Sequence, residues 1–181
     1  MRMLENSEVL NNQAIELAAK GEYTEAIACF KRAITVEREN YLLWFNLAIT
    51  YRDAGDLQDA KNCLKKAHYI NSEDEEVIET LANICYSMND ITEAFEYVST
   101  GLSLFEDSYR LWNLLGVLYF HQMDYESASE AFEQALSINP YYFDALYNLR
   151  DAYIETGNSI GANECSKKMQ MMGVHRYTGS V

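Results

Sequence analysis

Proline is nearly absent from this chain: Pro140 is the one proline among 181 residues. Proline breaks helices by removing an amide donor and crowding the preceding turn, so its scarcity leaves room for many unbroken helices. Positive charge is also short. Against 28 Asp+Glu stand only 14 Lys+Arg, a net charge of −14. Clustered Lys and Arg dominate phosphate binding, so this balance argues against nucleic acid and against an anionic membrane surface. No stretch approaches the roughly 18 uninterrupted apolar residues of a membrane span. Met1 to Leu10 lacks a basic region followed by an apolar one, so no signal peptide is expected there. Four cysteines without paired spacing point to a reducing compartment, and a cytoplasmic location is the expectation.

The usual carriers of chemistry are missing too. There is no glycine-rich phosphate loop and no Gly-x-Ser-x-Gly elbow. His68, His121 and His175 are scattered, and none has a His or Cys three or four residues further on, so metal-ligand spacing is absent. His68 falls where the equivalent helical positions hold Ile34, Leu102, Leu136 and Gln170, which favours a partly buried structural histidine. The expectation is a non-enzyme without metal or cofactor.

What is present is a period. Stepping by 34 from Ala26 gives Ala60, Ala94, Ala128 and Ala162. A second track reads Leu10, Trp44, Ile78, Trp112 and Leu146. Further tracks pass through Gln13, Leu47, Leu81, Leu115 and Leu149, through Ala14, Ala48, Ala82, Gly116 and Arg150, and through Leu17, Tyr51, Cys85, Tyr119 and Tyr153. Within a unit these tracks lie at i, i+3, i+4 and i+7, one face of an α-helix, here helix A. A second face follows, for example Ala128, Phe132, Ala135 and Leu136, on helix B. Between the helices stand Gly21-Glu22, Gly55-Asp56, Asn89-Asp90, Met123-Asp124 and Gly157-Asn158. Glycine and asparagine accept the left-handed conformation that ends a helix, which makes Met123 the one poor turn residue. The acid after the first four turns can cap helix B, and Asp56 with Asp59 and Asp90 with Glu93 resemble capping boxes.

Trp112, Leu115, Gly116, Tyr119, Ala128, Phe132, Ala135 and Pro140 together resemble the tetratricopeptide repeat signature. Trp44, Leu47, Ala48, Tyr51, Ala60 and Ala67 match it well in the second unit, the first and third are looser, and the fifth departs at Arg150, Ser166 and Met169. The resemblance implies an all-α, right-handed superhelical α-solenoid of five helix-turn-helix repeats. The boundaries expected are 1–6 for a lead-in, 7–40, 41–74, 75–108, 109–142 and 143–176 for the repeats, the last degenerate and capping, and 177–181 for a tail, all in a single domain. One such unit cannot bury its apolar face alone, so neighbours must stack. In the last unit Asn163, Ser166 and Gln170 suit an array ending in water, while Met169, Met171 and Met172 suit an adaptable surface for self-association. His175 to Val181 are expected to be loose. Cys29, Cys63 and Cys165 share one repeat position, but stacked helices stand ~10 Å apart and a disulfide needs Cα atoms within about 7 Å. All four cysteines therefore read as structural thiols.

The resemblance further implies that the A helices line a concave groove where a partner's segment lies. Carried onto this chain, the groove positions are Glu8, Asn11 and Ile15 in the first repeat and Leu42, Phe45, Ile49, Arg52 and Asp53 in the second. The third supplies Glu76, Glu79, Asn83, Tyr86 and Ser87. Arg110, Asn113, Val117, Phe120 and His121 follow in the fourth, and Asp144, Tyr147, Asp151, Ile154 and Glu155 in the fifth. Asn46 and Asn148 hold the family's common asparagine, whose amide either bonds a peptide backbone or is satisfied within the array. The Lys/Asn/Arg clamp of chaperone-tail binders is absent: its places hold Asn11 and Ile15, then Asn46, then Glu76 and Thr80, so only Asn46 matches and the positive charges are missing. Seven acids in the groove set face two bases, Arg52 and Arg110. With Phe45, Tyr86, Phe120 and Tyr147 they suit a Lys/Arg-bearing segment through charge steering and cation–π contact, unless the groove merely shares the acidity of the whole chain. The expected function is a protein-binding adaptor or scaffold, the alternative a homo-oligomeric module joined through its terminal repeats. RNA binding of the pentatricopeptide kind would need a 35-residue period and a basic groove.

Overall fold

The computed structural model describes residues 6–173; the expectations for the 1–6 lead-in and for His175 to Val181 lie wholly or largely outside them. Ten α-helices alternate along the described chain without a strand: α1 (Ser7–Ala19), α2 (Tyr23–Val36), α3 (Tyr41–Asp53), α4 (Leu57–Ile70), α5 (Glu75–Ser87), α6 (Ile91–Leu104), α7 (Tyr109–His121), α8 (Tyr125–Ile138), α9 (Phe143–Glu155) and α10 (Ser159–Met171). Odd-numbered helices begin at Ser7, Tyr41, Glu75, Tyr109 and Phe143, in step with the period.

Local chemistry sets the ends of these helices. Asn6, Asn40, Asp74 and Ser108 each accept an amide hydrogen bond from the first turn of the helix they precede. Asp56, Asp124 and Asn158 do the same for α4, α8 and α10. Such caps satisfy donors that a helix start otherwise leaves unpaired. In all five turns the residue after the left-handed position donates to a carbonyl five residues back, as Asp56 does to Tyr51 at 2.8 Å and Asp124 to Tyr119 at 3.0 Å. This is the Schellman closure, which demands positive φ. Gly55 supplies it at 87°, and Met123 is forced into it at 61°.

The chain divides into two compact units, one ending at Tyr97 and the other beginning at Val98, within α6. In the first, α1 packs on α2 and α3 on α4, with α2 against α3 and α4 against α5. Its core holds Phe30, Leu47, Leu64, Ile78 and Leu81, with Ala26, Ala60 and Ala94 fully enclosed where helices meet. In the second, α7 packs on α8 and α9 on α10, with α8 against α9. Ala128, Phe132, Leu146, Leu149, Ala152, Cys165 and Met169 form its core cluster. Cys29, Cys63, Cys85 and Cys165 are all buried and free.

Candidate protein-interaction faces

The candidate face of the first unit lies on α1, α3 and α5. Its exposed apolar residues are Ile15 and Leu42, 46% and 50% accessible, and Ile49 is half-buried. Glu8 and Glu76 are exposed and Glu79 is half-buried. Phe45, read from the sequence as an open aromatic face, is only 9% accessible and belongs to the core. Tyr86 is half-buried. Arg52 is committed to its neighbour Asp53 at 2.9 Å, and the Asn83 amide donates to the Glu79 carbonyl one turn back at 3.0 Å.

On the second unit the corresponding face lies on α7 and α9. Val117 and Phe120 are half-buried, and Phe120 meets Tyr125 edge-to-face with centroids 5.1 Å apart. The Arg110 guanidinium lies 5.8 Å from the Tyr109 ring centre, and His121 and Ile154 are exposed. Tyr147 and Asp151, expected to meet a ligand's cation, already meet one of the chain's own. The Arg150 guanidinium stacks 4.3 Å from the Tyr147 ring centre and pairs with Asp151 at 2.5 Å.

The asparagines divide in the same way. The Asn46 amide donates to the Asn11 side-chain carbonyl at 3.0 Å, and Asn148 donates to Asn113 at 3.1 Å. Each bond joins consecutive A helices, so part of each amide's capacity is spent inside the array. The signal is legible in hindsight: both pairs are 35 residues apart, one repeat plus one position. Other links recur in the same fashion. The Trp44 and Trp112 indoles each donate at 2.9 Å to the carbonyl six residues earlier, Arg38 and Glu106. Tyr41 donates to Asp74 at 3.0 Å, and at the matching place Tyr109 packs against Tyr142, centroids 4.8 Å apart. These bonds orient the helices that carry the candidate faces.

Away from these faces, Lys61 on α4 is a buried lysine, its side chain 8% accessible. It bonds Asp90 and Glu93 at 2.6 Å each, and Lys65 reaches Glu93 at 2.7 Å. The two lysines pull the Glu93 carboxyl down to about 2. His68 is half-buried, edge-on to Tyr97 at 5.8 Å, and burial pushes its imidazole below the ordinary value. Among the described residues no group of three or more His, Cys, Asp or Glu could hold a metal ion, and no helix is long and apolar enough to cross a membrane.

A family model described as tetratricopeptide repeat matches residues 109–142, and another of the same description matches 17–84, more than half of the chain between them. The chain is 29% identical over 139 residues to the BBSome complex member BBS4 of Xenopus tropicalis, covering 76% of this chain and 27% of that protein. To a TPR repeat-containing protein of Methanocaldococcus jannaschii it is 31% identical over 141 residues, covering 71% and 24%. It thus spans about a quarter of the length of these two relatives. Among solved structures, MamA superposes with a TM-score of 0.79 at 23% identity, covering 88% of this chain and 94% of MamA. The type IV pilus biogenesis factor PilW gives 0.81 at 19%, covering 96% and 81%. YrrB, described as a TPR protein with an unusual peptide-binding site, gives 0.71 at 19%, covering 94% and 88%. At these identities the structural likeness establishes the fold. With paired helices at a 34-residue period and two matching family models, the chain belongs to the tetratricopeptide repeat family, whose arrays are protein-interaction scaffolds.

Proposed function

We propose that this chain is a non-catalytic adaptor that holds a partner protein's segment against its odd-numbered helices. The observation carrying this reading is the exposure of Ile15 and Leu42 on the A helices of the first unit, which also expose the acids Glu8 and Glu76. Neither side chain contributes to the core, and the turn and cap chemistry of α1 and α3 does not need them. Helices that expose both apolar side chains and carboxylates suit a segment that combines apolar residues with Lys or Arg, the apolar residues supplying burial and the charges supplying steering.

The test is capture from native lysate by wild type and by an Ile15→Ser/Leu42→Ser variant, with circular dichroism to show that the variant folds. A protein retained by wild type and lost by the variant supports the reading, and its affinity should fall as salt rises because the steering is electrostatic. Equal capture by both would move the contact off this face.

Self-association through the C-terminal end is the second reading. Met171 is 85% accessible, next to a depression of ≈ 540 Å³ that also involves Pro140, Tyr141, Lys168 and Met172. The methionine cluster is split there, since Met169 is buried and Met172 half-buried. Light scattering over a wide concentration range decides it: a constant monomer mass removes this reading.

A further inference from the structure

At the repeat position of Arg150 the earlier units hold Ala14, Ala48, Ala82 and Gly116. At the facing position on helix B the order of sizes reverses: Phe30, Leu64, Val98 and Phe132 precede Ser166. Small on A with large on B has become large on A with small on B. Ser166 thereby leaves space for a long side chain, and Arg150 lies with Ile154, Ala162 and Ser166 around a depression of ≈ 310 Å³. The guanidinium turns back along its own helix. Its centre stands 4.3 Å from the Tyr147 ring centre, and Nε and Nη2 both donate to Asp151 Oδ1, at 2.9 and 2.5 Å. The side chain is 19% accessible.

An aromatic face beside a carboxylate is the arrangement that recognises a guanidinium, and here the occupant is visible. We propose that Tyr147 and Asp151 form an arginine-binding site on α9, that Arg150 fills it in the free chain, and that an arginine side chain of an incoming segment takes the same two partners by displacing Arg150. The inference rests on the adaptor reading and names the chemistry of one contact. The exchange replaces like with like: the incoming guanidinium takes up the ring and carboxylate contacts that Arg150 gives up, and Asp151, 35% accessible, can be reached from solvent. Arg150 thus acts as an internal competitor that an incoming arginine must displace.

The experiment titrates N-acetyl-arginine methylamide into the full chain by NMR, reading the Tyr147 ring protons and the Arg150 Nε–H. In wild type the probe should shift the Tyr147 ring and release the Arg150 Nε–H to solvent exchange. Arg150→Ala places the sibling repeats' residue at this site, and it should bind the probe about three- to tenfold more tightly. Adding Asp151→Asn should abolish that gain. Equal affinity for wild type and Arg150→Ala, or an equal response to N-acetyl-citrulline methylamide, which has the same shape without the charge, would overturn the proposal. Partner capture through Ile15 and Leu42 reads the other unit, so its survival beside a silent Tyr147 would sink this site alone. Failure of the wild type to capture any partner beside a responding Tyr147 would sink the adaptor reading alone.

Discussion

Gly116 on α7 lies directly against the ring of Phe132 on α8: a β-carbon added to the glycine would stand 2.4 Å from the ring edge. Phe132 is fully enclosed, so the ring cannot swing into solvent to make room. Gly116→Ala is expected to cost about 1–3 kcal/mol as overpacking, read as a lower urea midpoint. Phe132→Leu added to it should recover part of the loss, because Ala48 and Leu64 hold the same two places in the second repeat. A double variant no better than the single would mean the strain lies elsewhere.

Met123 holds a left-handed backbone, φ 61°, where three sibling turns use glycine. Its side chain is exposed and contributes nothing to the core. Met123→Gly should therefore raise stability by up to about 1 kcal/mol, the relief of left-handed strain exceeding the extra freedom of the unfolded chain. Thermal melting of the two proteins checks the sign.

The Lys61–Glu93–Lys65 cluster makes part of the stability acid-labile. The folded carboxyl of Glu93 is depressed from 4.5 to about 2, so its contribution is complete above 4.5 and is lost as pH falls toward 2. Lys61 is shifted upward from 10.5 by Asp90 and Glu93 against the cost of burial, so its share is lost only in strong alkali. Glu93→Gln should melt below wild type at neutral pH, and the gap should close as pH is lowered through that window. A gap independent of pH would show that the effect is not ionic.

Burial pushes the Cys63 thiol up to about 12, the Cys85 thiol to about 11, and the Cys165 thiol upward as well. The nucleophile is the thiolate, so these sulfurs should be nearly inert toward Ellman's reagent in the native protein. All four cysteines should react promptly in denaturant. A fast native phase would mark a segment that opens locally.

Much of the fold is legible in the chain. Alanine at five positions 34 apart marks close helix contacts, and all five are buried. The turns are legible from Gly21, Gly55, Asn89 and Gly157, and even the misfit at Met123 is real, because the repeat imposes the left-handed conformation whatever residue stands there. The candidate faces are less legible. A helix position is readable from periodicity, but its exposure depends on the side chain arriving from the neighbouring helix. Phe45 looked open and is buried, while Asn46 and Asn148 spend an amide on Asn11 and Asn113.

Arg150 shows the division most plainly. That it broke a track of small residues was visible in the sequence, as was Ser166 opposite it. Where the guanidinium went was not, because rotamers and ion pairs are settled by space and charge in three dimensions. By itself the sequence determined the period, the paired helices, the turns and the acidic balance, since these follow from local propensity and from the small residues that close contacts require. Which polar groups satisfy one another, and which aromatic and acidic groups stay accessible, emerges in the folded array, because burial and hydrogen bonding are properties of neighbours that lie far apart in the chain.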